Sequence, residues 1–418
     1  MSTLHQKIRA DHNLRYSVYD AIAWAFMFGF AEMYISPFAI YLNSTPQQIG
    51  MLSTLPPLIG ASCQLLGLFL TENYRNRRQI ICTAVWFQAF ALSLLAFLPL
   101  LLPFLDTPFA LLFALICIYH ISGNIGGPAW HSLLGELIPS SIRIHFLALR
   151  NSRVAIYTFI AYIIGGLILD QFEHWSRISC GYAMLFAFAS FGRFLSYSAL
   201  TRHDNPLYTA ENKHIFSPTF LWQTIFHSSY GRFILFFCLI HFGANIAGPY
   251  FSIYMLRELR LSYMEFTTLV GIQVFSQFLS MRFWAWLGKD MNTTKLLELS
   301  GFTVSTLPFL WILSADYSYL MVVQTFSGFF WGGFNLAAQN YLFKNLSTEV
   351  RARMSAYQLL LNAIFIFLGS SLGGMIIKYS SLVGLVGNNW WQFSTPLFIA
   401  FFVSGSVRLL TAKFLRPH

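Results

Sequence analysis

Two kinds of side chain that bind protons occur inside long apolar stretches of this sequence. Glu32 lies in the middle of the apolar stretch 19–42, while His120 and His241 lie within two later ones. An imidazole gains or loses a proton near neutral pH, and burial favours the uncharged form of a carboxyl group. A carboxyl group at membrane depth calls for a reason, so we expect Glu32 to bind protons or a polar ligand.

Amide and indole side chains stand at helical spacing on the same apolar stretches and on a further one. Such groups can bind a polar substrate, or they can join helices at about 0.6–2 kcal/mol each. The sequence leaves both alternatives open, as it does for Glu32 and the two histidines. Together with Glu32, His120 and His241, the candidate substrate-binding or coupling residues are Asn124, Asn245, Trp331, Asn335 and Gln339.

The elements that carry these residues are predicted to be membrane spans. The sequence is 56% hydrophobic and only 10% charged, whereas soluble domains are about 25% charged. As a helix the stretch 19–42 is about 36 Å long, enough to cross a hydrocarbon core of about 30 Å. The lipid bilayer is therefore a predicted partner. The net charge of +10 is spread over short clusters between apolar stretches, which argues against nucleic-acid binding.

Twelve spans are predicted from apolar length and flanking polar residues. Basic residues concentrate in alternate loops and in both tails, which places both termini in the cytoplasm. The predicted spans fall near residues 19–42, 48–71, 79–103, 108–134, 148–169, 179–201, 231–256, 262–287, 295–314, 318–342, 355–377 and 395–414.

An internal repeat divides the spans into two halves, since the halves match in ordered blocks at spacings slightly above 200 residues. At a shift of 215, for example, Arg193 falls on Arg408. Such a repeat is typical of doubled transporter folds. We therefore predict a cytoplasmic tail at 1–18, a first six-helix bundle at 19–201, a cytoplasmic linker with an interfacial helix at 202–229, and a second six-helix bundle with a short tail at 230–418.

Two parallel six-span halves with cytoplasmic termini resemble the major facilitator superfamily. The opening NLRYSVYDAIAWAFMFGFAEMYISPFAIYL is similar to a largely unassigned bacterial subgroup. The resemblance implies an all-α membrane protein with 12 transmembrane helices in two pseudo-symmetric bundles. It implies a monomer in the bacterial inner membrane without a cofactor, and a substrate site at mid-membrane lined by spans 1, 4, 7 and 10.

The family's loop signature G-x-x-x-D-R-x-G-R-R, which latches an inner gate, is degraded here. The stretch GLFLTENYRNRRQ keeps the terminal basic pair and has a nearby acidic residue, but Asn76 replaces the second glycine. The copy in the second half, WLGKDMNTTK, also lacks that glycine. The predicted gate residues are Glu72, Arg77, Arg78, Glu136, Arg143, Asp290, Lys295 and Arg351.

Five arginines near or inside spans are expected to have structural roles. Arg150 and Arg153 open the fifth span, and we expect them to pair with gate carboxylates such as Glu136. Arg193, Arg282 and Arg408 lie in the cytoplasmic third of their spans, and we expect them to snorkel to the membrane surface.

The function predicted from these features is secondary active transport of a small molecule by alternating access, with Glu32 as the coupling or binding carboxylate. Proton symport or facilitated uptake is favoured over drug or metabolite efflux by an antiporter, because the family's antiporter motif G-P is missing from the fifth span. Two other classes stay open: a membrane-embedded enzyme using His120 or His131, against which the repeat argues, and a transport-inactive sensor. No nucleotide-binding loop is present, so ATP drive is not expected.

Overall fold

A computed structural model gives the fold, and it describes residues 11–74, 76–139, 141–206, 229–345, 348–380, 386–387 and 393–414. The described residues form long α-helices, which confirms the predicted all-α fold. The interfacial helix predicted within 202–229 and most of both predicted tails lie outside the described residues.

Helices α1 and α2 together form the first membrane-length segment, and each later helix forms one. Proline occupies the first helical position of three of them, where its missing N–H leaves no hydrogen bond unmade. Numbered along the chain, the helices are α1 His12–Phe30, α2 Ile35–Tyr41, α3 Pro46–Asn73, α4 Arg77–Leu101, α5 Pro108–Leu137, α6 Arg143–His174, α7 Ile178–Leu200, α8 Ser229–Ile253, α9 Tyr263–Asp290, α10 Thr293–Leu313, α11 Tyr317–Asn345, α12 Thr348–Ser380 and α13 Pro396–Phe414.

Ten membrane-length segments of the described chain are apolar enough to count as spans by hydropathy alone. The two others, α9 and α11, contain 28 and 29 residues. Both are long enough to cross a bilayer, because a residue adds about 1.5 Å to a helix. Each of them contributes a glutamine, Gln273 from α9 and Gln324 from α11, to a cavity of the second unit.

The first span is broken at its centre. Helix α1 ends at Phe30, a single 3₁₀ turn covers Glu32–Tyr34, and α2 resumes the α-helix. Ala31 between them has φ −106° and ψ −66°, outside ordinary helical values. The break therefore places the carboxyl group of Glu32 where regular helical hydrogen bonding is interrupted.

Contacts divide the chain into two compact units. The first takes in the described residues of Met1–Ser44, Pro56–Lys213 and Ser262–Met264. The second takes in the described residues of Thr45–Leu55, His214–Leu261 and Glu265–His418. Within the first unit α4 packs against α5 and α7, and α1 packs against α6 and α7; within the second, α8 packs against α12 and α13.

One tyrosine–glycine contact secures the break in the first span. The Tyr34 hydroxyl donates to the backbone carbonyl of Tyr162 in α6. Its ring lies so close to Gly165 that a Cβ atom there would come within 2.6 Å of the Tyr34 ring. Because real Cβ atoms do not approach this closely, the glycine is required by the packing.

The same contact recurs inside the second unit. The Tyr250 hydroxyl donates to the backbone carbonyl of Ser370 at 2.6 Å, and a Cβ at Gly373 would come within 2.6 Å of the Tyr250 ring. The shift of 208 that relates Gly165 to Gly373 also relates the two accepting carbonyls. The internal repeat is thus visible at the level of a single hydrogen bond in each unit.

Candidate functional site

Glu32 and His120 meet inside the first unit. The Nε2 atom of His120 lies 3.7 Å from Oε1 of Glu32, with the two side chains 15% and 25% exposed. Oε2 of Glu32 is buried and has no hydrogen-bond partner among the described residues. The hydroxyl of Tyr119 donates to the sulfur of Met27 at 3.2 Å and lies near enough to Glu32 for an electrostatic interaction. A carboxyl group, an imidazole and a phenol thus share one partly buried place at the helix break.

A second polar cluster lies in the cytoplasmic half of the first unit, as the predicted orientation defines it. Asp20 accepts from Nη2 of Arg150 at 2.9 Å and from the Ser196 hydroxyl at 2.7 Å. Arg193 donates to Ser196 at 2.9 Å and to Gln88 at 2.7 Å. Asp20, Arg150 and Arg193 line a cavity of about 370 Å³. One carboxylate therefore balances two buried guanidinium groups.

The expected pairing of Arg150 with Glu136 is wrong, because Arg150 pairs with Asp20 and stacks over the Trp130 ring at 4.6 Å. The expected snorkelling of Arg193 and Arg408 is also wrong. Their exposures are 7% and 3%, and both side chains turn toward polar groups inside their own unit. The position of a residue along a span does not fix the direction of its side chain, because neighbouring helices decide it.

The second unit holds a cavity of about 330 Å³. Among the predicted site residues, His241, Asn245 and Trp331 line it. Nδ1 of His241 lies 3.0 Å from the Phe237 carbonyl, and its ring stands edge-on to Trp331 with centroids 5.6 Å apart. The cavity also receives polar groups that the sequence had not singled out for a site: Ser252, Gln273, Gln324, Ser327 and Arg408.

The same hydrogen bond orients the predicted asparagines of both units. Asn124 donates to the carbonyl of His120, and Asn245 donates to that of His241, each at 2.9 Å. Asn124 also packs against Gly60 of α3, since a Cβ atom at Gly60 would come within 2.7 Å of the amide nitrogen of Asn124. In each case the asparagine is fixed to the turn that carries the histidine, which holds the two polar groups side by side.

Two predicted residues of α11 do not reach the second cavity. Gln339 is exposed and Asn335 is partly buried, and neither lines the cavity that contains Trp331. Positions four residues apart share a helix face but are separated by about 6 Å along the axis. Asn335 and Gln339 therefore share a helix face with Trp331 but lie progressively farther along α11 from the cavity.

The predicted gate residues Arg77 and Glu136 form an ion pair, in which the arginine is 1% and the glutamate 46% exposed. Arg77 also donates to the Ser132 hydroxyl and the Pro206 carbonyl. Arg78 donates to the carbonyl of His203. Both basic residues thus join the start of α4 to neighbouring segments of the same unit.

The other predicted gate residues are less closely tied together. Arg143 donates to the carbonyls of Gly135 and Ile138 and so caps the end of α5. Glu72 forms no ion pair with any described residue, and Lys295 is exposed. The side chains of Asp290 and Arg351 lie outside the described part of the chain.

Asp20, Gln88 and Arg408 are buried polar residues that the sequence did not single out as site residues. Each is at most 5% exposed. Charged residues inside apolar spans are rare and usually mark functional places, so that rule alone would have selected Asp20 and Arg408. Gln88 carried no comparable signal. Among the described residues no group of three or more metal-binding side chains comes together.

One protein family accounts for nearly the whole chain. The sequence model of the Major Facilitator Superfamily matches residues 21–242 and again 233–418. No curated protein sequence is significantly similar to this chain.

Several solved structures share the fold over nearly their full length. The nucleoside transporter NupG is 14% identical with a TM-score of 0.68, covering 96% of this chain and 97% of that one. A D-xylose-proton symporter is 15% identical with a TM-score of 0.69, covering 97% and 95%. An auto-inhibited peptide transporter of the POT family is 9% identical with a TM-score of 0.73, covering 96% and 95%. At such identities the likeness concerns the fold alone.

Proposed function

The chain belongs to the Major Facilitator Superfamily, and on that premise we propose that it is a secondary transporter that moves a small molecule across the cytoplasmic membrane by alternating access. Glu32 couples this movement to protons. The supporting observation is the position of Glu32, because its carboxyl group lies in the break of the first span and 3.7 Å from His120.

The proposed coupling follows from the charges of this pair. A deprotonated Glu32 attracts a protonated His120, whereas a protonated Glu32 loses that attraction and can donate a hydrogen bond instead. The 3₁₀ turn Glu32–Tyr34 separates α1 from α2, so a change of charge acts where the regular helical hydrogen bonding of the span is interrupted. Protonation would thereby shift the balance between conformations that differ at the break.

Uptake together with protons is the direction we favour, because the fifth span lacks the G-P motif of antiporters. A transporter of the same fold is a D-xylose-proton symporter, so this architecture is compatible with proton coupling. Efflux by an antiporter remains the alternative.

We further propose a monomer in a bacterial inner membrane with both termini in the cytoplasm. The enzyme alternative gains no support from membership of a transporter family.

The proposal is tested by replacing Glu32→Gln. Cells that produce the wild type, the variant or neither protein are compared for uptake and release of metabolites by untargeted mass spectrometry at external pH 6 and pH 8. We expect one solute to accumulate faster at pH 6 with the wild type. The variant cannot exchange a proton at this place, so it should lose that dependence on pH.

The matched control is Glu173→Gln, an identical chemical change at an exposed position near the end of α6, which should keep the wild-type dependence. Equal pH dependence in Glu32→Gln and wild type would show that Glu32 has only a structural role. Release of a solute in exchange for protons would favour the antiporter. If neither protein moves a solute beyond the empty control, the transport-inactive sensor becomes the better interpretation.

A further inference from the structure

The cavity of the second unit contains a buried arginine without a carboxylate partner, and we propose that Arg408 binds the anionic group of the transported substrate, a small organic carboxylate or phosphate. This inference rests on the proposed transport function and names the chemical class of its cargo.

Arg408 is only 3% exposed. Nη1 donates to the backbone carbonyl of Val304 at 3.1 Å, and Nη2 donates to the hydroxyl of Ser404 at 2.6 Å. Its Nε atom is buried and has no partner among the described residues. No described acidic side chain contributes an electrostatic interaction to it. A full positive charge is therefore balanced in this part of the chain only by neutral groups.

The corresponding arginine of the first unit is compensated. Arg193, which the internal repeat aligns with Arg408, interacts electrostatically with Asp20 and is joined to it through Ser196. At the shift of 213 that matches Phe38 to Phe251, Asp20 falls on Phe233, and at the shift of 216 that relates Tyr34 to Tyr250 it falls on Phe236. Both phenylalanines are fully buried. The second unit has thus kept the guanidinium group and lost its counter-ion.

A buried charge that lacks a partner is unfavourable by several kcal/mol even after the protein relaxes. A purely structural role at this position needs only hydrogen bonds to Val304 and Ser404, which a neutral side chain could make. A guanidinium group has five N–H donors, and those two bonds use two of them. The remaining donors and the charge suit a carboxylate or phosphate, which can bind in bidentate geometry.

The other lining residues and the cavity volume indicate the size of this anion and the chemical groups that it carries besides its charge. The cavity volume of about 330 Å³ is at the small end of ligand pockets. Gln273, Gln324 and Asn245 supply amide groups to the lining, and Trp311 and Trp331 supply aromatic faces. These groups fit a small anion that carries further hydrogen-bonding or planar groups, and a single arginine does not suit a polyanion.

The test uses pairs of solutes that differ in charge: benzoate with benzamide, and glucose 6-phosphate with glucose. Thermal unfolding of the purified full-length protein in neutral detergent is recorded with each solute, and chloride at the same concentration controls for ionic strength. We expect at least one anion, and not its neutral partner, to raise the melting temperature. Calorimetry then gives its dissociation constant.

Arg408→Gln should weaken this binding at least 30-fold, a loss of about 2 kcal/mol. Lys413→Gln removes a positive charge from an exposed position of the same helix and should leave the affinity unchanged. Arg408→Lys keeps the charge but cannot bind an anion in bidentate geometry. It replaces the glutamine variant in the test if that variant does not fold, and we expect its affinity to lie between those of the wild type and Arg408→Gln.

Three results of these binding measurements would overturn the inference: equal binding of anions and neutral partners, unchanged affinity in the Arg408 variants, or no stabilisation by any anion. Repeating the measurement in nanodiscs of phosphatidylcholine separates a solute from a lipid, since stabilisation only by added phosphatidylglycerol would assign the site to lipid headgroups. A neutral solute found in the metabolite experiment would contradict the anion site while leaving transport intact. Absence of any transported solute would contradict transport, while anion binding by the purified protein could still be measured.

Discussion

Asp20 is the residue on which the polar cluster of the first unit depends. Its carboxylate accepts hydrogen bonds from Arg150 in α6 and Ser196 in α7, while it belongs itself to α1. Three helices therefore meet at one side chain that is 3% exposed. Removal of its charge would leave the guanidinium groups of Arg150 and Arg193 without a counter-ion.

We predict that Asp20→Asn lowers the free energy of unfolding by about 3–5 kcal/mol, the usual cost of breaking a buried ion pair from one side. The melting temperature of the purified protein in detergent measures the effect. Asp106→Asn makes the same change at an exposed position between α4 and α5 and should have little effect. Equal melting temperatures for both variants would show that the cluster contributes little to stability.

His203 follows α7, lies outside the spans and has its pKa shifted by burial. Burial lowers the pKa of its imidazole below the ordinary value, while Asp20 acts in the opposite direction and His12 lowers the pKa further. The side chain is 3% exposed. The folded protein therefore holds this histidine neutral at a pH where the unfolded chain already binds a proton.

The sign of the resulting pH dependence follows directly. Above the ordinary pKa of about 6.5, His203 is neutral in both the folded and the unfolded protein, so its contribution to the free energy of unfolding is complete. As the pH falls from there toward the lowered pKa, the unfolded state binds more protons and the protein loses stability. We predict a smaller drop in melting temperature between pH 7.5 and pH 5 for His203→Gln than for the wild type. His145→Gln, an exposed site, should keep the full drop; an identical slope in all three proteins would contradict the assignment.

Helix packing through glycine determines the shape of the broken first span. Tyr34 reaches across to α6, and Gly165 provides the space for its ring. The 3₁₀ turn that carries Glu32 ends at Tyr34. The conformation of the break is therefore fixed partly by a neighbouring helix rather than by the sequence of the span itself.

Gly165→Ala is predicted to lower the free energy of unfolding by about 1–3 kcal/mol, the usual cost of overpacking. Its Cβ atom would lie 2.6 Å from the Tyr34 ring. Gly135→Ala is the matched control, because the added Cβ would meet nothing within 4 Å outside its own stretch of helix, and both substitutions gain helix propensity. Thermal unfolding compares the two. Equal stability would mean that Tyr34 moves aside without loss.

At the scale of the whole molecule, apolar length predicted the fold correctly. The predicted spans near 262–287 and 318–342 correspond to α9 and α11, although glutamine and serine reduce their hydropathy. The internal repeat pointed to paired halves, and the equivalent contacts of Tyr34 and Tyr250 show that pairing in detail. The precise domain boundaries stay a prediction.

The candidate sites were less accessible to sequence reasoning. His241, Asn245 and Trp331, which were predicted at similar depth on their spans, do line one cavity, while their part in binding stays a prediction. Position along the span gave the wrong environment for Arg193 and Arg408, since only the neighbouring helices reveal whether a basic side chain turns inward. The roles of Glu32 and the other predicted residues stay predictions until transport is measured.

The Asp20 cluster also constrains the order of biosynthesis. Arg150 follows Asp20 by 130 residues and Ser196 follows it by 176. At about 5–20 residues per second, Arg150 leaves the ribosome roughly 7–26 s after Asp20. During that interval the first span holds a carboxyl group whose partners do not yet exist. Nascent chains that end before Arg150 should therefore depend on an insertase or be degraded. In chains extended past Ser196, Arg150 and Ser196 can already donate hydrogen bonds to the carboxylate of Asp20.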